Sequence, residues 1–347
     1  MLPISNQQRL NLVNTEQLFE NYQATTQHVL SNAYGMRWKK VRDVEYLFRE
    51  RDRRGNGKLL GRRSPETETI LAAFLAGKRA ATERLAAIES RLEEQARLNK
   101  ALRLARVPRV VARILRQLDK AGLTDAFTVL GTQALYAYET LAGVQYLSEL
   151  LASGDVDLLL YDTRRKLTVV AEKLDGEGLL GLLKKADRSF ECIRKRGFRA
   201  ANAGQFMVDL IIAPRGMRQA EAITFADNDL VASEVPGLQW LLNAPKSHAM
   251  IIDEEGQPAR MRVPDPRAFA LHKAWLSQQS DREPIKKPRD LAQARAVAAT
   301  VIDYLPHLPF EEALTALHGD VRAMSKLLNM NGGRPGEEPS STRAKRR

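Results

Sequence analysis

The sequence is poor in cysteine and aromatic residues, and it has no long apolar run. Its 347 residues include one cysteine, Cys192, which excludes an intramolecular disulfide and predicts a reducing, cytoplasmic location. No apolar segment approaches the roughly 20 residues that span a bilayer. The N-terminus shows neither the charged nor the apolar region of a secretory signal. We therefore expect a protein without membrane contact.

The remaining composition is that of a globular protein. Hydrophobic residues make up 44% and charged residues 28% of the chain, which excludes the disordered and membrane-embedded classes. The length suffices for one large domain or two ordinary ones, with a sizeable buried core.

Positive charge is concentrated in two short segments. The net charge is +12, and residues 37–63 contain 11 Lys and Arg against 4 Asp and Glu, an excess of 7. Residues 331–347 contain 5 against 2, an excess of 3, so the two segments hold 10 of the 12 net charges. A localised basic surface favours a nucleic-acid or polyphosphate partner. The alternative is a solubilising loop followed by a disordered tail.

The N-terminal region, 1–123, is predicted to be mainly helical. Residues 1–36 form a helix, and the alternation of apolar and charged residues from Val44 to Phe48, followed by the turn residues GNG, predicts a basic β-hairpin over about 37–63. Ser64 and Pro65 are typical of a helix start, so a long helix is expected over 65–105. As a coiled-coil element, this helix could bind a partner protein or a second copy of the chain.

From residue 124 onward, short apolar strands alternate with helices. We expect strands at 127–130 and 155–161, helices at 132–141 and 177–188, and two strands joined by a turn at 202–204. Residues 263–330 read as helical, and 331–347 as a disordered basic tail. The sequence thus predicts an α/β (α+β) fold with a mixed-sheet domain over 124–262, an N-terminal helical and coiled region, and a C-terminal helical bundle.

Gly131 and Thr132 lie where a predicted strand turns into a helix. Free backbone N–H groups at such a turn can bind an anion; glycine permits a close approach and a hydroxyl adds a donor. The ordinary alternative is a helix N-cap.

Asp155 and Asp157 lie two residues apart on a predicted apolar strand, so their side chains share one face. Like charges at that distance repel each other, and hard divalent cations that take oxygen ligands relieve the repulsion. The alternative is an edge strand on which both carboxylates are hydrated.

Asp209 is a single carboxylate in the apolar strand QFMVDLII. It shares a face with Met207 and Ile211, while Val208 and Leu210 point the other way. If this strand pairs beside 155–160, the three aspartates gather into one cluster suited to two-metal phosphoryl transfer. A solvent-facing aspartate on an edge strand is the alternative.

In this order, the motifs resemble the nucleotidyltransferase superfamily typified by DNA polymerase β. More closely, RSPETE, GTQALYAYE, DVDLLLYD, DRSF and AANAGQFMVDLI are similar to a bacterial family of nucleotidyltransferase-fold proteins of poorly defined role, over most of 36–290. The resemblance implies transfer of NMP from an NTP such as ATP to an acceptor hydroxyl, with pyrophosphate release.

The resemblance also implies a role for each motif residue. Asp155 and Asp157 would bind two Mg²⁺ ions, with Mn²⁺ as the alternative. Asp209 would bind the catalytic metal and accept the proton of the nucleophile. Gly131 and Thr132 would bind the triphosphate, although Thr132 replaces the usual serine or glycine. The superfamily also contains non-catalytic members.

A C-terminal lysine extends the resemblance. Lys273 matches a lysine that follows the catalytic sheet in related enzymes and would contact the nucleotide phosphates, with Lys287 and Asp290 matching further motif residues. An amphipathic helix with a solvated lysine is the alternative. His272 and Cys192 are interpreted as packing residues.

For the acceptor we expect RNA, including a tRNA end, because the basic charge is localised. Tyr46 and Phe48 could stack on bases, although core packing is the simpler use. Alternatives are nucleotidylation of a protein, as in toxin–antitoxin or defence systems, and a catalytically inactive nucleic-acid-binding protein. The candidate acceptor-binding residues are Arg49, Arg51, Arg53, Arg54, Lys58, Arg62, Arg63 and, on another segment, Arg199.

Overall fold

The chain divides into two compact units. The computed structural model describes residues 1–52, 54–161, 164–215, 221–310 and 323–328, with only the backbone for 164 and 165. The six-stranded unit comprises Met1–Ile4, Val107–Ile251 and Ala259–Arg347, and the three-stranded unit comprises Ser5–Arg106 and Ile252–Pro258. Arg53 and the predicted disordered tail, 331–347, lie outside the described residues.

The described residues form ten α-helices and thirteen β-strands. The helices are α1 (Asn6–Ser31), α2 (Pro65–Ala101), α3 (Arg109–Lys120), α4 (Ala134–Ala142), α5 (Ser148–Leu151), α6 (Arg164–Leu174), α7 (Gly178–Ala186), α8 (Leu238–Asn243), α9 (Pro266–Gln278) and α10 (Lys287–Tyr304). The strands are β1 (Leu2–Pro3), β2 (Met36–Val41), β3 (Val44–Glu50), β4 (Gly57–Arg62), β5 (Phe127–Leu130), β6 (Val144–Gln145), β7 (Asp155–Leu160), β8 (Glu191–Cys192), β9 (Arg199–Ala201), β10 (Met207–Ile212), β11 (Ser233–Glu234), β12 (Lys246–Ile252) and β13 (Pro258–Pro264).

In the three-stranded unit, two capped helices pack together. Ser5 and Gln8 form a capping box at the start of α1, and Ser64 caps α2 with Pro65 at its first position, as the helix-start pattern predicts. Leu18 of α1 packs with Ile88 and Leu92 of α2. The long helix is confirmed, although it ends at residue 101 rather than 105.

The basic segment forms a sheet of three antiparallel strands in the order β2-β3-β4. The expected hairpin is therefore incomplete: β3 and β4 form it, and β2 adds a third strand. β2 was missed because its sequence, MRWKKV, has little apolar alternation to signal a strand. Leu47 and Phe48 are both buried, and the strand register shifts between them.

The six-stranded unit contains a mixed sheet, which confirms the predicted α/β class. The strand order is β5-β7-β10-β9-β8, with β11 beside β10. β7 and β10 run parallel, whereas β5 and β9 are antiparallel to their neighbours. The two predicted strands joined at 202–204 are β9 and β10. The sequence pattern missed α6 and the short strands β8 and β11.

The two faces of this sheet differ in character. Val156, Leu158 and Leu210 point into the main core, where α3 and α7 also contribute side chains. The opposite face carries the aspartates and, further along the same strands, Leu159 and Ile211, which pack with residues of α8 and α9. The alternation follows from the two-residue period of a strand.

The C-terminal part of the described chain is helical from Pro266 to Tyr304, as expected, and α9 packs against α10. The two strands that precede α9 were not predicted: β12 and β13 pair with each other as a separate two-stranded sheet. Among the described residues, every helix is too short or too polar to cross a bilayer.

Candidate active site

The three predicted carboxylates lie on one face of the six-stranded sheet. Asp157 of β7 is directly opposite Asp209 of the parallel strand β10, and Asp155 is opposite Met207. Laterally paired residues and residues two apart on a strand point to the same side of a sheet. The backbone therefore places Asp155, Asp157 and Asp209 together, as the sequence predicts.

Asp209 is buried and bound by an arginine. Its side chain is 6% exposed, and both of its oxygens accept hydrogen bonds from Arg199, Oδ1 from Nε at 2.6 Å and Oδ2 from Nη2 at 2.5 Å. Arg199 lies on β9 directly opposite Asp209 in the strand register. Two parallel charge-assisted hydrogen bonds of this kind are among the strongest side-chain contacts.

Burial and the neighbouring carboxylates raise the pKa of Asp157 to about 6. Burial is the main cause, and the charges of Asp155 and Asp209 add to it, while Lys273 and Arg199 oppose the shift. Asp155 has a hydrogen-bond partner beside it: its Oδ1 accepts a hydrogen bond from Ser153 Oγ. A cation placed among these carboxylates would relieve their repulsion.

The carboxylates suit a hard divalent cation in chemistry and strand register, but their side chains do not form a ready site. Among the described residues, no group of three or more His, Cys, Asp or Glu side chains is arranged to hold a metal ion. The contact that occupies both oxygens of Asp209 is the one to Arg199. Metal binding by all three aspartates thus either uses the lone pairs that these two hydrogen bonds leave or follows release of Asp209 by Arg199.

Gly131 closes the site on the other side of β7. Its φ is +65°, and a Cβ atom there would lie 2.5 Å from Asp157 Oδ2. Leu130, the preceding residue, is opposite Asp157 in the strand register. The position therefore requires glycine both for the backbone conformation and for the space beside the carboxylate.

Thr132 is held by the last long helix. Its Oγ1 accepts hydrogen bonds from Gln293 Nε2 at 3.1 Å and from Arg289 Nη2 at 3.3 Å, both on α10. A single turn of 3₁₀-helix, Gly131–Gln133, then leads into α4. The expected strand-to-helix turn is confirmed, and its N-cap alternative is not: neither this turn nor α4 has a side-chain cap.

Comparison with known proteins decides the family. A family model described as "Nucleotidyltransferase" matches residues 109–318, which is more than half of the chain. The chain belongs to this nucleotidyltransferase family. No curated protein sequence matches this nucleotidyltransferase.

A similar solved structure is that of an antigenic nucleotidyltransferase-like protein from Paracoccidioides brasiliensis. The sequence identity is 16%, the likeness covers 64% of this chain and 88% of that chain, and the TM-score is 0.33. At that TM-score the likeness supports no conclusion about the site of this nucleotidyltransferase.

Lys273 is buried in a charge network. Its Nζ donates to Asp290 Oδ1 at 2.7 Å, and Arg282 Nε donates to Asp290 Oδ2 at 2.7 Å. Lys273 and Arg282 are thus the residues bound to Asp290, and the match of Lys287 and Asp290 to motif residues of related enzymes stays a prediction. Lys273 and Arg282 are brought there because α9 and α10 pack side by side.

His272 is a packing residue, as predicted. Its ring contacts Trp240 and Trp275, with centroids 5.8 Å away in each case. Burial, together with the charge of Lys273, lowers its pKa to about 3, so it stays neutral at physiological pH. Cys192 is only partly buried, and it packs at the edge of the main core.

The candidate acceptor-binding residues are divided between the units. Arg54, Lys58, Arg62 and Arg63 are exposed in the three-stranded unit, whereas Arg199 belongs to the six-stranded unit and binds Asp209. Arg63 is ion-paired with Glu45 and Glu68. Tyr46 accepts a hydrogen bond from Arg62.

Sequence reasoning missed Arg289, Gln293 and Arg282. The sequence contains one weak indication of Arg289 and Gln293: they are four residues apart on a predicted helix and so share one face. The strand-to-helix turn that they contact could not be identified from spacing, since more than 150 residues separate the partners in sequence.

Proposed function

We propose that this protein transfers a nucleoside monophosphate from an NTP to an acceptor hydroxyl and releases pyrophosphate. The acceptor oxygen forms a bond to the α-phosphorus, and the bond between that phosphorus and the oxygen of the β-phosphate breaks. Pyrophosphate leaves with the electron pair. The hydroxyl proton passes to Asp209, after Arg199 has released that carboxylate.

The observation that carries this proposal is the pairing of Asp157 and Asp209 on neighbouring parallel strands, with Asp155 on the same face. Family membership supports nucleotidyl transfer as the general activity. The close approach of Gly131 to Asp157 supports a phosphate position beside the carboxylates, because only a residue without a side chain leaves that space open.

Asp155, Asp157 and Asp209 would hold two Mg²⁺ ions, or Mn²⁺ in their place. Bound there, the ions would offset the negative charge of the phosphates and activate the attacking oxygen. The raised pKa of Asp157 supports this assignment, since a divalent cation would stabilise the carboxylate that burial and the charges of Asp155 and Asp209 disfavour.

For the acceptor we propose RNA, including a tRNA end, bound by the exposed basic sheet β2–β4 in the cytoplasm. The excess of seven positive charges in 37–63 supports a polyanion. Arg62 and Tyr46 lie together on that sheet, with the guanidinium 5.9 Å from the ring centre, and such pairs suit nucleic acid bases. Protein nucleotidylation is the alternative acceptor chemistry.

A second candidate function is nucleic-acid binding without catalysis. The observation that favours it is the occupation of both Asp209 oxygens by Arg199, together with the lack of a ready three-ligand group in the described part of the chain. Such a protein would bind RNA in a salt-dependent way, unaffected by Asp155→Ala, and would turn over no NTP.

Incubation with each of the four labelled NTPs, Mg²⁺ or Mn²⁺, cellular RNA and total protein tests these proposals. We expect label in RNA with the wild-type protein and none with Asp157→Ala. Label in protein alone would refute the RNA acceptor. The absence of any label with all NTPs and both metals, combined with RNA binding, would support the non-catalytic candidate.

A further inference from the structure

Arg289 is a cation beside the Gly131–Thr132 turn, and no carboxylate of the described residues pairs with it. Its Nη2 donates to Thr132 Oγ1 at 3.3 Å and to the carbonyl oxygen of Ala152. Its Nε is buried and finds no acceptor among the described residues. The guanidinium thus keeps its full charge and a free donor at the site.

The other cations of the site are already paired. Arg199 binds Asp209, and Lys273 and Arg282 both bind Asp290. Of these four cations, Arg289 alone forms no ion pair within the part of the chain that the structure describes.

Thr132 is oriented by the same helix. Gln293 is 1% exposed and donates to the Leu150 carbonyl oxygen at 2.8 Å as well as to Thr132 Oγ1. Because Oγ1 accepts from both Gln293 and Arg289, its lone pairs are used, and the hydroxyl proton is left to donate elsewhere. No described residue accepts it, and Thr132 is only partly buried.

We propose that Arg289 binds the triphosphate of the NTP and that Gln293, as a positioning residue, turns the Thr132 hydroxyl to donate to the same phosphates. This inference rests on the proposed function and deepens it. It assigns the phosphate-binding cation to Arg289 in place of Lys273. A planar guanidinium suits this role because it can donate two parallel hydrogen bonds to phosphate oxygens.

Calorimetric titration of the full chain with an α,β-methylene NTP in Mg²⁺ tests the assignment without turnover, since that analogue cannot release pyrophosphate. We expect Arg289→Gln to weaken binding of the analogue by roughly 10- to 100-fold, the usual range for losing hydrogen bonds to a charged group. Arg289→Lys should recover part of the loss, because it keeps the charge. Affinity for the nucleoside without phosphates should not change.

The control is Arg295→Gln, an exposed arginine on the same helix whose Nε donates to the Leu327 carbonyl oxygen at 3.3 Å. It should bind the analogue as the wild type does. Equal binding by Arg289→Gln and wild type would overturn the assignment and leave the proposed function intact. If the wild-type protein binds none of the four analogues, the proposed function itself fails.

A second measurement needs no substitution and so does not depend on folding of a variant. Phenylglyoxal modifies arginine side chains, and mass spectrometry of the wild-type protein reports the extent at each one. We expect the analogue with Mg²⁺ to slow modification of Arg289 at least fivefold and to leave Arg295 unchanged. Equal modification of Arg289 with and without bound analogue would contradict the proposal.

The variant Gln293→Leu tests whether Gln293 orients the Thr132 hydroxyl or only packs beside it. We expect it to weaken binding of the analogue less than Arg289→Gln does, because the cation remains. In combination with Thr132→Val, it should add nothing further, since both act through one hydroxyl. Fully additive losses would show that Gln293 does not act through Thr132.

Discussion

The three-stranded sheet and the six-stranded sheet of this protein use charged residues in opposite ways. In the three-stranded unit, arginines and glutamates meet at the surface, as in the ion pairs of Arg63, whose side chain is 49% exposed, with Glu45 and Glu68. In the six-stranded unit, Asp209 is nearly fully buried and is bound by Arg199 through two hydrogen bonds. Exposed pairs contribute little to stability, whereas breaking a buried pair leaves a costly charge.

This difference is the one expected between the proposed RNA-binding surface and the proposed reaction centre. The exposed sheet can change single charges with small effects, because water compensates each of them. At the aspartate face, the charges of Asp155 and Asp209 add to the rise in the pKa of Asp157 that burial causes. The predictions below test whether the two sheets differ in this way.

The largest effect is expected at the aspartate face. Asp157→Ala and Asp209→Ala should each lower nucleotidyl transfer at least about 100-fold, because each removes a carboxylate that would hold the divalent cations beside the phosphates. Labelled NTP incorporation measures the loss. Asp303→Asn, an exposed residue of α10, is the control and should keep wild-type activity. Activity within a fewfold of wild type in either alanine variant would remove that aspartate from the reaction.

Next in size is Gly131→Ala. The added Cβ meets Asp157 Oδ2 at 2.5 Å in a left-handed backbone conformation, so we expect a loss of about 1–2 kcal/mol in the free energy of unfolding. Transfer activity should fall at least tenfold. Urea denaturation and the incorporation assay measure the two effects.

The matched control is Gly77→Ala in α2, where an added Cβ has no neighbour within 4 Å. It should stabilise the protein by about 0.5–1 kcal/mol because alanine favours a helix. A neutral Gly131→Ala would show that the turn can move away from Asp157.

A smaller effect is expected from the basic sheet. The combined substitutions Arg54→Gln, Lys58→Gln and Arg62→Gln should weaken RNA binding about tenfold in 0.1 M salt and reduce its salt dependence. Fluorescence anisotropy with a labelled RNA across a salt series gives both quantities. The matched control removes three exposed arginines of α2 in the same unit, by Arg84→Gln, Arg91→Gln and Arg97→Gln. Equal losses in both triple variants would point to net charge, and not to the sheet.

The smallest effect concerns stability against pH. The pKa of Asp157 is raised to about 6, so between about pH 4 and pH 6 the folded state binds more protons than the unfolded state, and stability falls as the pH rises. In EDTA, Asp157→Asn should therefore raise Tm at pH 7.5 and leave it unchanged at pH 4. A lower Tm for this variant at pH 7.5 would contradict the raised pKa of Asp157. Asp303→Asn should show no such dependence.

Much of the site was predictable because its motifs are local. The apolar run around Asp155 and Asp157 and the apolar strand around Asp209 fixed both strands and the face of each carboxylate through the two-residue period. The turn at Gly131 and Thr132 was predicted because the sequence changes there from a strand pattern to a helical one. The strand β2 and the pair β12–β13 were missed. Two adjacent lysines interrupt the alternation of β2, β12 begins with polar residues, and the prolines at both ends of β13 argue against a strand.

The sequence by itself determined the mixed α/β class, the acidic strands and the basic segment, because local period and composition specify these. Only the tertiary structure decided that Asp209 faces Arg199, that Lys273 and Arg282 share Asp290, and that Arg289 and Gln293 reach Thr132. Arg199 and Asp209 are ten residues apart in the chain, and Arg282 and Asp290 are eight apart. The other contacts join elements that are distant in sequence. Their physical reason is the pairing of β10 with both β7 and β9 and the packing of α10 against α9 and α4.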